Sequence, residues 1–247
     1  MSDIDALLGL SAFRTIRATI RRWRDTSTYV RALEKYRSHR PVAEVLDSWS
    51  GWVRQEENWP WLWRVWVKRP RWIRVEESTD GGATWDTHGG DGATTWQLFR
   101  GELHAEEDRS IAVLTAEGSA SIHGPTAHEL LDRLDIVHTH AHPLVAELID
   151  PLDHLPKDLR WERGGPTTFL GRRAMAFRAW VADWDRWNLF TENLSVADDY
   201  EVLVDVETGV ILRFAQRFEG REYGATEMTE VAFDEDLAAE LFQPPQR

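Results

Sequence analysis

The 247-residue chain contains no cysteine. Without thiols it has no disulfide bonds, thiolate metal ligands, thiol nucleophile or lipid-modified cysteine. It also lacks any run of about 18 apolar residues, so the sequence predicts no membrane-spanning helix. Asp3 and Asp5 precede a short apolar run that the arginines from Arg14 onwards interrupt, so we expect no export signal and a cytoplasmic location.

Motifs for catalysis and cofactor binding are also missing, since the glycines lack dinucleotide- and phosphate-loop spacing and no G-x-S-x-G elbow occurs. The sharpest metal-like cluster is formed by His138, His140 and His142, because alternate residues of a strand face one way, as zinc ligands must. The alternative, a polar loop before Pro143, is the interpretation we adopt. We therefore expect a non-enzymatic protein with no catalytic residue, metal or cofactor.

The net charge of −13 is unevenly distributed. Residues 1–40 hold nine basic and four acidic residues, a net charge of +5, and the remainder holds 20 and 38, a net charge of −18. An acidic body repels phosphate backbones, so we do not expect nucleic acid as a partner.

Aromatic residues are abundant, with 14 Trp and nine Phe. Because each ring can bury roughly 150 to 250 Å², the excess must enter a core, a ligand pocket or a contact with a partner.

The N-terminal segment has helical spacing. Phe13, Ile16, Ile20 and Trp23 recur at steps of three and four among arginines, which predicts a basic amphipathic helix over residues 12–24. Such a helix either docks on the acidic body or makes weak contact with a membrane surface.

A second helix is predicted from the capping residue Asp25 to about Arg37, ahead of Pro41. We thus divide the chain into a basic helical segment, residues 1–42, and a body, residues 43–247, and expect the sheet of the body to close without residues 1–40.

From residue 61 the hydrophobic period changes to two, which predicts strands. Pairing of Val67 with Arg71 across a three-residue turn places Val65 opposite Ile73 and Trp63 opposite Val75 on one side of a hairpin. A second hairpin is predicted over residues 81–100, around a glycine-rich turn. Further strands are expected at residues 111–115, 160–163, 167–181, 200–206, 210–218 and 222–233, short helices at residues 42–50, 126–134 and 234–242, and a helical or turn-rich segment at residues 143–155.

These elements define the fold class as α+β and mainly β: a large curved antiparallel sheet, or unclosed half-barrel, with an N-terminal helical hairpin and short covering helices.

The order of several motifs resembles the bacterial LolA, LolB and RseB lipoprotein-carrier fold family. The motifs are Lys68-Arg-Pro-Arg-Trp-Ile-Arg-Val-Glu76, the glycine-rich hairpin ending in Trp96, Ile149-Asp-Pro151, Phe169-Leu-Gly-Arg172, the stretch 200–213, and Leu241-Phe-Gln-Pro-Pro245. The resemblance covers about residues 60–245. It implies an unclosed barrel whose concave apolar face, lidded by helices, receives acyl chains or a protein partner.

We therefore expect a non-catalytic binding protein that holds a lipid-like or other apolar ligand in the concave face. The expected ligand-binding residues are Trp61, Trp63, Val65, Ile73 and Val75, with Trp96 as a further candidate. The alternative is a regulatory protein-interaction module that uses the same face to bind a partner's apolar segment.

Overall fold

The computed structural model describes residues 3–10, 12–39, 42–43, 60–69, 72–90, 94–99, 102–107, 110–115, 118–123, 147–149, 151, 159–184 and 196–244. The strands are β1 Thr15–Arg24, β2 Trp61–Lys68, β3 Trp72–Ser78, β4 Asp86–Gly90, β5 Thr94–Phe99, β6 Glu102–Glu107, β7 Ser110–Thr115, β8 Gly118–His123, β9 Leu159–Phe169, β10 Arg172–Val181, β11 Asp199–Asp205, β12 Ile211–Phe218 and β13 Arg221–Phe233. The helices are α1 Asp3–Leu8, α2 Thr26–Tyr36 and a 3₁₀ turn at Ala239–Phe242.

Eleven of these strands form one antiparallel sheet in the order β6-β5-β4-β3-β2-β1-β13-β12-β11-β10-β9. Strands β7 and β8 form a separate hairpin. The large sheet ends at β6 and β9, so it is open. The predicted α+β class with one large unclosed antiparallel sheet is confirmed.

The helix predicted for residues 12–24 is wrong, because Thr15–Arg24 forms strand β1. β1 pairs with β2 on one side and with β13 on the other, so it lies in the middle of the sheet. β-Branched Thr15, Ile16, Thr19 and Ile20 suit a pleated surface better than a helix.

This correction removes three earlier expectations. No N-terminal helical hairpin forms, no amphipathic helix at 12–24 contacts the body or a membrane surface, and residues 15–24 are part of the sheet that was expected to form without them. Separate folding of residues 1–42 and 43–247 stays a prediction for experiment, and the pairing of β1 argues against it.

Helix α2 begins where the sequence predicts. The Asp25 carboxylate accepts hydrogen bonds from the backbone N–H groups of Ser27 and Thr28, at 3.0 and 3.4 Å. Such an N-cap satisfies donors that the first helical turn leaves free. The helix buries Ala32 and Leu33 in the main core cluster.

The register of the β2–β3 hairpin differs from the prediction by two residues. Val67 pairs with Ile73, and Val65 pairs with Val75. The backbone N–H of Arg69, in the turn, donates to the Arg14 carbonyl at 2.9 Å, which ties the turn to the start of β1. A shift of two leaves each side chain on its predicted face.

Later strands mostly agree with the sequence. Those predicted at residues 111–115, 200–206, 210–218 and 222–233 are confirmed. The single strand predicted over residues 167–181 is instead the hairpin β9–β10, which turns at Leu170 and Gly171 with φ of 51° and 74°. The helix predicted at 234–242 is reduced to the 3₁₀ turn.

Three predicted helical segments fall wholly or largely outside the described residues, namely 42–50, 126–134 and 143–155. Within the described part of the chain, no helix has the length and apolar character needed to cross a bilayer.

The carboxylate of Asp198 fastens α2 to the sheet. Its Oδ1 accepts hydrogen bonds from Lys35 Nζ at 2.6 Å and the Tyr36 hydroxyl at 2.7 Å, and its Oδ2 accepts one from the Glu219 backbone N–H at 2.8 Å. Burial raises the pKa of Asp198, but the hydrogen bonds from Lys35, the Glu219 backbone and Tyr36 outweigh burial and hold the pKa below its ordinary value.

A depressed folded-state pKa means that Asp198 stabilises the fold above the pKa of the unfolded chain, about 3.9, and that this contribution is lost as pH falls through the folded-state pKa. Asp198→Asn should therefore lower the free energy of unfolding by about 1–3 kcal/mol at pH 7 and by less in acid. Urea denaturation at several pH values measures this, with the exposed Asp236→Asn as control. An Asp198→Asn penalty that stays constant with pH would contradict the assignment.

Candidate functional site

One face of the sheet, which we call the apolar face, is built by alternate residues of β1, β2 and β3. Ala18 pairs with Val65, which pairs with Val75. In neighbouring rows, Ile16, Val67 and Ile73 lie side by side, and Ile20 pairs with Trp63. All eight of these side chains are buried and belong to one hydrophobic cluster.

Four of the predicted ligand-binding residues therefore lie together. Trp63, Val65, Ile73 and Val75 are each at most 1% exposed. Trp61 lies two residues before Trp63, on the same face of β2, and is only partly buried. The centroids of the two rings are 5.9 Å apart.

The guanidinium of Arg22 lies 5.8 Å from the Trp61 ring centroid. Arg22 and Trp61 are cross-strand partners at the end of the β1–β2 ladder. We call Arg22, Trp61 and Trp63 the rim: here the apolar face passes from buried to partly exposed side chains beside a positive charge.

Trp96 does not join this group. It pairs with Gly89, which pairs with Arg74, and Arg74 pairs with Trp66, so Trp96 shares the opposite, polar face of the sheet. There it is 3% exposed, and its indole N–H donates to the carbonyl of Phe242 at 3.0 Å. The prediction that Trp96 lines the same face as Trp63 is wrong.

Sequence reasoning missed the β1 contribution to the apolar face. The alternation of Ile16, Ala18 and Ile20 with Arg17, Thr19 and Arg21 was a visible strand signal, but the helical spacing of the larger apolar residues was preferred. The remaining missed residues lie on β10–β13, where the face continues through Phe177, Tyr200, Val202, Phe214 and Met228.

Ionisation is suppressed on this second half of the apolar face. Burial raises the pKa of Tyr200 and of Tyr223 well above the ordinary tyrosine value. The Tyr223 hydroxyl donates to the Val196 carbonyl, and its ring stacks on Tyr29 of α2 with centroids 6.4 Å apart. Both phenols therefore stay neutral even at a pH where an ordinary tyrosine ionises, because burial in this surface disfavours charged groups.

The polar face carries alternating guanidinium and carboxylate groups. Arg64 and Arg74 both bond Glu76, at 3.5 and 2.8 Å, and Arg17 bonds Glu235. An open groove of about 410 Å³ lies here, lined by Arg17, Ala18, Thr19, Arg64, Trp66, Glu76 and Glu230.

No group of three potential metal ligands occurs among the residues that the structure describes. His138, His140 and His142 lie outside those residues.

No protein-family model matches the chain, and no curated protein matches it in sequence. Several solved structures are similar in fold. An uncharacterized conserved protein from Thermus thermophilus is 12% identical, with a TM-score of 0.44 over 99% of this chain and 93% of that one. A chain of the Pseudomonas aeruginosa MucA/MucB complex is 13% identical, with a TM-score of 0.47 over 99% of this chain and 62% of that one.

A LolA superfamily protein from Nitrosomonas europaea is 6% identical, with a TM-score of 0.34 over 99% of both chains. It belongs to the family whose motifs the sequence resembles. This chain thus spans the full length of some neighbours but less than two thirds of the MucA/MucB chain.

Proposed function

We propose that this is a non-catalytic binding protein that holds the apolar part of a lipid-like, anionic amphiphile against its apolar face, with entry at the rim. The rim supports the proposal: the partly buried ring of Trp61 packs at a tilt against the buried Trp63, and the guanidinium of Arg22 lies over the Trp61 ring.

Each part of the rim suits one part of an amphiphile. An acyl chain that covers Trp61 and continues towards Trp63 is stabilised by about 25 cal/mol per Å² of apolar surface removed from water. Arg22 provides a cation next to this entrance, where a carboxylate or phosphate head group stays close to solvent. The neutral tyrosines and aliphatic residues deeper in the face favour the uncharged tail.

Palmitate is a suitable probe, added to the full-length chain below its micellar concentration and followed by isothermal titration calorimetry. We expect Trp61→Ala to weaken palmitate binding at least tenfold with little loss of stability, because Trp61 is only partly buried. Trp66→Ala is the matched control, since Trp66 lies on the same strand with its side chain on the polar face. Equal affinities of the two variants would refute entry at the rim.

The role of Arg22 has its own test. Arg22→Gln should weaken binding of palmitate but not of the uncharged methyl palmitate, because only the former presents a carboxylate. Native mass spectrometry of gently purified protein provides an independent readout. If no lipid copurifies and neither probe binds, the amphiphile proposal fails, and a partner's apolar segment becomes the ligand to test on this face.

A further inference from the structure

The C-terminal segment Asp234–Phe242, which we call the strap, crosses the polar face of the sheet. It leaves the end of β13 and passes over β1, where Arg17 forms hydrogen bonds with both Glu235 oxygens at 2.8 and 3.0 Å. It then passes β2 and β3 and reaches β5 at Trp96. The strap thus links the C-terminal half of the sheet to the N-terminal half.

The sheet holds the strap as a binding site holds a peptide. Four strand side chains donate to four strap carbonyls: Thr15 Oγ1 to Glu235 at 2.7 Å, Lys68 Nζ to Leu237 at 2.8 Å, Arg74 Nη1 to Leu241 at 3.1 Å, and Trp96 Nε1 to Phe242 at 3.0 Å. Such bonds recognise the backbone of the bound segment and do not depend on its side chains.

Phe242 supplies the anchor. Its side chain is 1% exposed, and its ring centroid lies 5.5 Å from that of Trp72. The donor Arg74 is itself held in place, because its guanidinium lies 5.7 Å from Trp66 and 5.8 Å from Trp96 and bonds Glu76. A buried aromatic anchor in a preorganised pocket is the usual energetic centre of a peptide interface.

The strap begins at a hinge. Asp234 has φ of 57°, in the left-handed region that side-chain-bearing residues seldom adopt. Its carboxylate accepts hydrogen bonds from the backbone N–H groups of Arg14 and Thr15, at 2.7 and 3.4 Å. This conformation turns the chain from β13 back across its own sheet.

We propose that the polar face over β1–β5 is an exchange site that also binds the strap of a second copy of this chain. The contacts of residues 235–242 can form within one chain or between two, because none is covalent and all lie beyond the hinge at Asp234. Because residues 235–242 would lie on the polar face of the second copy, the extended Asp234 alone makes the crossing, so the two copies must meet at the end of β13. The effective concentration of the chain's own strap keeps the protein monomeric when dilute.

The hinge decides between the two arrangements, so matched substitutions of Asp234 test the exchange. Asp234→Val removes the carboxylate and disfavours a left-handed φ, whereas Asp234→Gly removes the same carboxylate but tolerates that φ. In light scattering coupled to size exclusion, we expect Asp234→Val to dimerise at a concentration at least tenfold lower than Asp234→Gly. Indistinguishable behaviour of the two would overturn the proposal.

A second variant shows whether the strap forms the dimer. Adding Phe242→Ala to Asp234→Val should restore the monomer, and a synthetic peptide of residues 234–244 should dissociate the Asp234→Val dimer, while the same peptide with Ala at 242 should not. A dimer that survives both treatments uses another surface and refutes the exchange. Trp61→Ala should leave the dimer unchanged, because the rim lies on the other face of the sheet. The dimer measurement therefore tests the exchange independently of the amphiphile proposal.

Discussion

A chain that lacks residues 1–24 is expected to lose its cooperative unfolding transition. Strand β1 pairs along nearly its whole length with both β2 and β13, and among the described strands no other joins the two halves of the sheet. Its removal leaves two long edges with unpaired N–H and C=O groups and exposes the row of Val65 and Val75. Thermal melts followed by circular dichroism measure this result.

Point substitutions separate the role of β1 from the general damage of a truncation. Ile20 is fully buried, so Ile20→Ala should cost about 2–5 kcal/mol of stability. Its neighbour Thr19 points to the polar face, and Thr19→Ala should cost about 1 kcal/mol or less. A cooperative melt of the truncated chain, together with similar costs for the two substitutions, would show that β1 is dispensable.

The class of fold was predictable because most strands carry their own signal. In β2 and β3 the buried residues alternate along the strand, and this period of two is enough to predict a half-buried strand. In β1 the pattern is ambiguous, because Ile16 and Ile20 are four residues apart. This spacing places two side chains on one face of a helix and also on one face of a strand. The choice between the periods depended on partners, β2 and β13, that are distant in sequence.

The grouping of Trp63, Val65, Ile73 and Val75 was predictable because it depends on one hairpin, and an error of two residues in register preserves the faces. The position of Trp96 depends on the register of β4 between β3 and β5. At this point β4 contributes Gly89 and Gly90, which have no side chains to reveal which face is buried. A Cβ at Gly89 would lie 2.7 Å from the Trp96 ring, so the packing of Trp96 requires a glycine here. The same glycine leaves no side chain in the sequence pattern to indicate that packing.

The strap could not be predicted from sequence for a different reason. Its few apolar residues resemble a short helix, whereas its position is set by donors on three strands more than 140 residues away. Long-range contacts of this kind leave no local pattern.

The turn between β11 and β12 packs closely against the end of α1. Gly209 has a positive φ of 75° there. A Cβ at this position would clash with the Leu7 carbonyl oxygen, at the end of α1. Gly220, in the β12–β13 turn, has the same φ of 75° but nothing within 4 Å of an added Cβ.

The two glycines therefore separate backbone strain from steric contact. Gly220→Ala should cost about 1–2 kcal/mol, which is the price of a left-handed conformation for an L-residue. Gly209→Ala carries the same strain and must also displace backbone atoms of α1, which adds about 1–3 kcal/mol. Urea denaturation should thus place Gly209→Ala well below Gly220→Ala in stability. Equal costs would mean that α1 moves away freely, and that its burial of Ile4 and Leu8 contributes little to holding the N-terminus on the sheet.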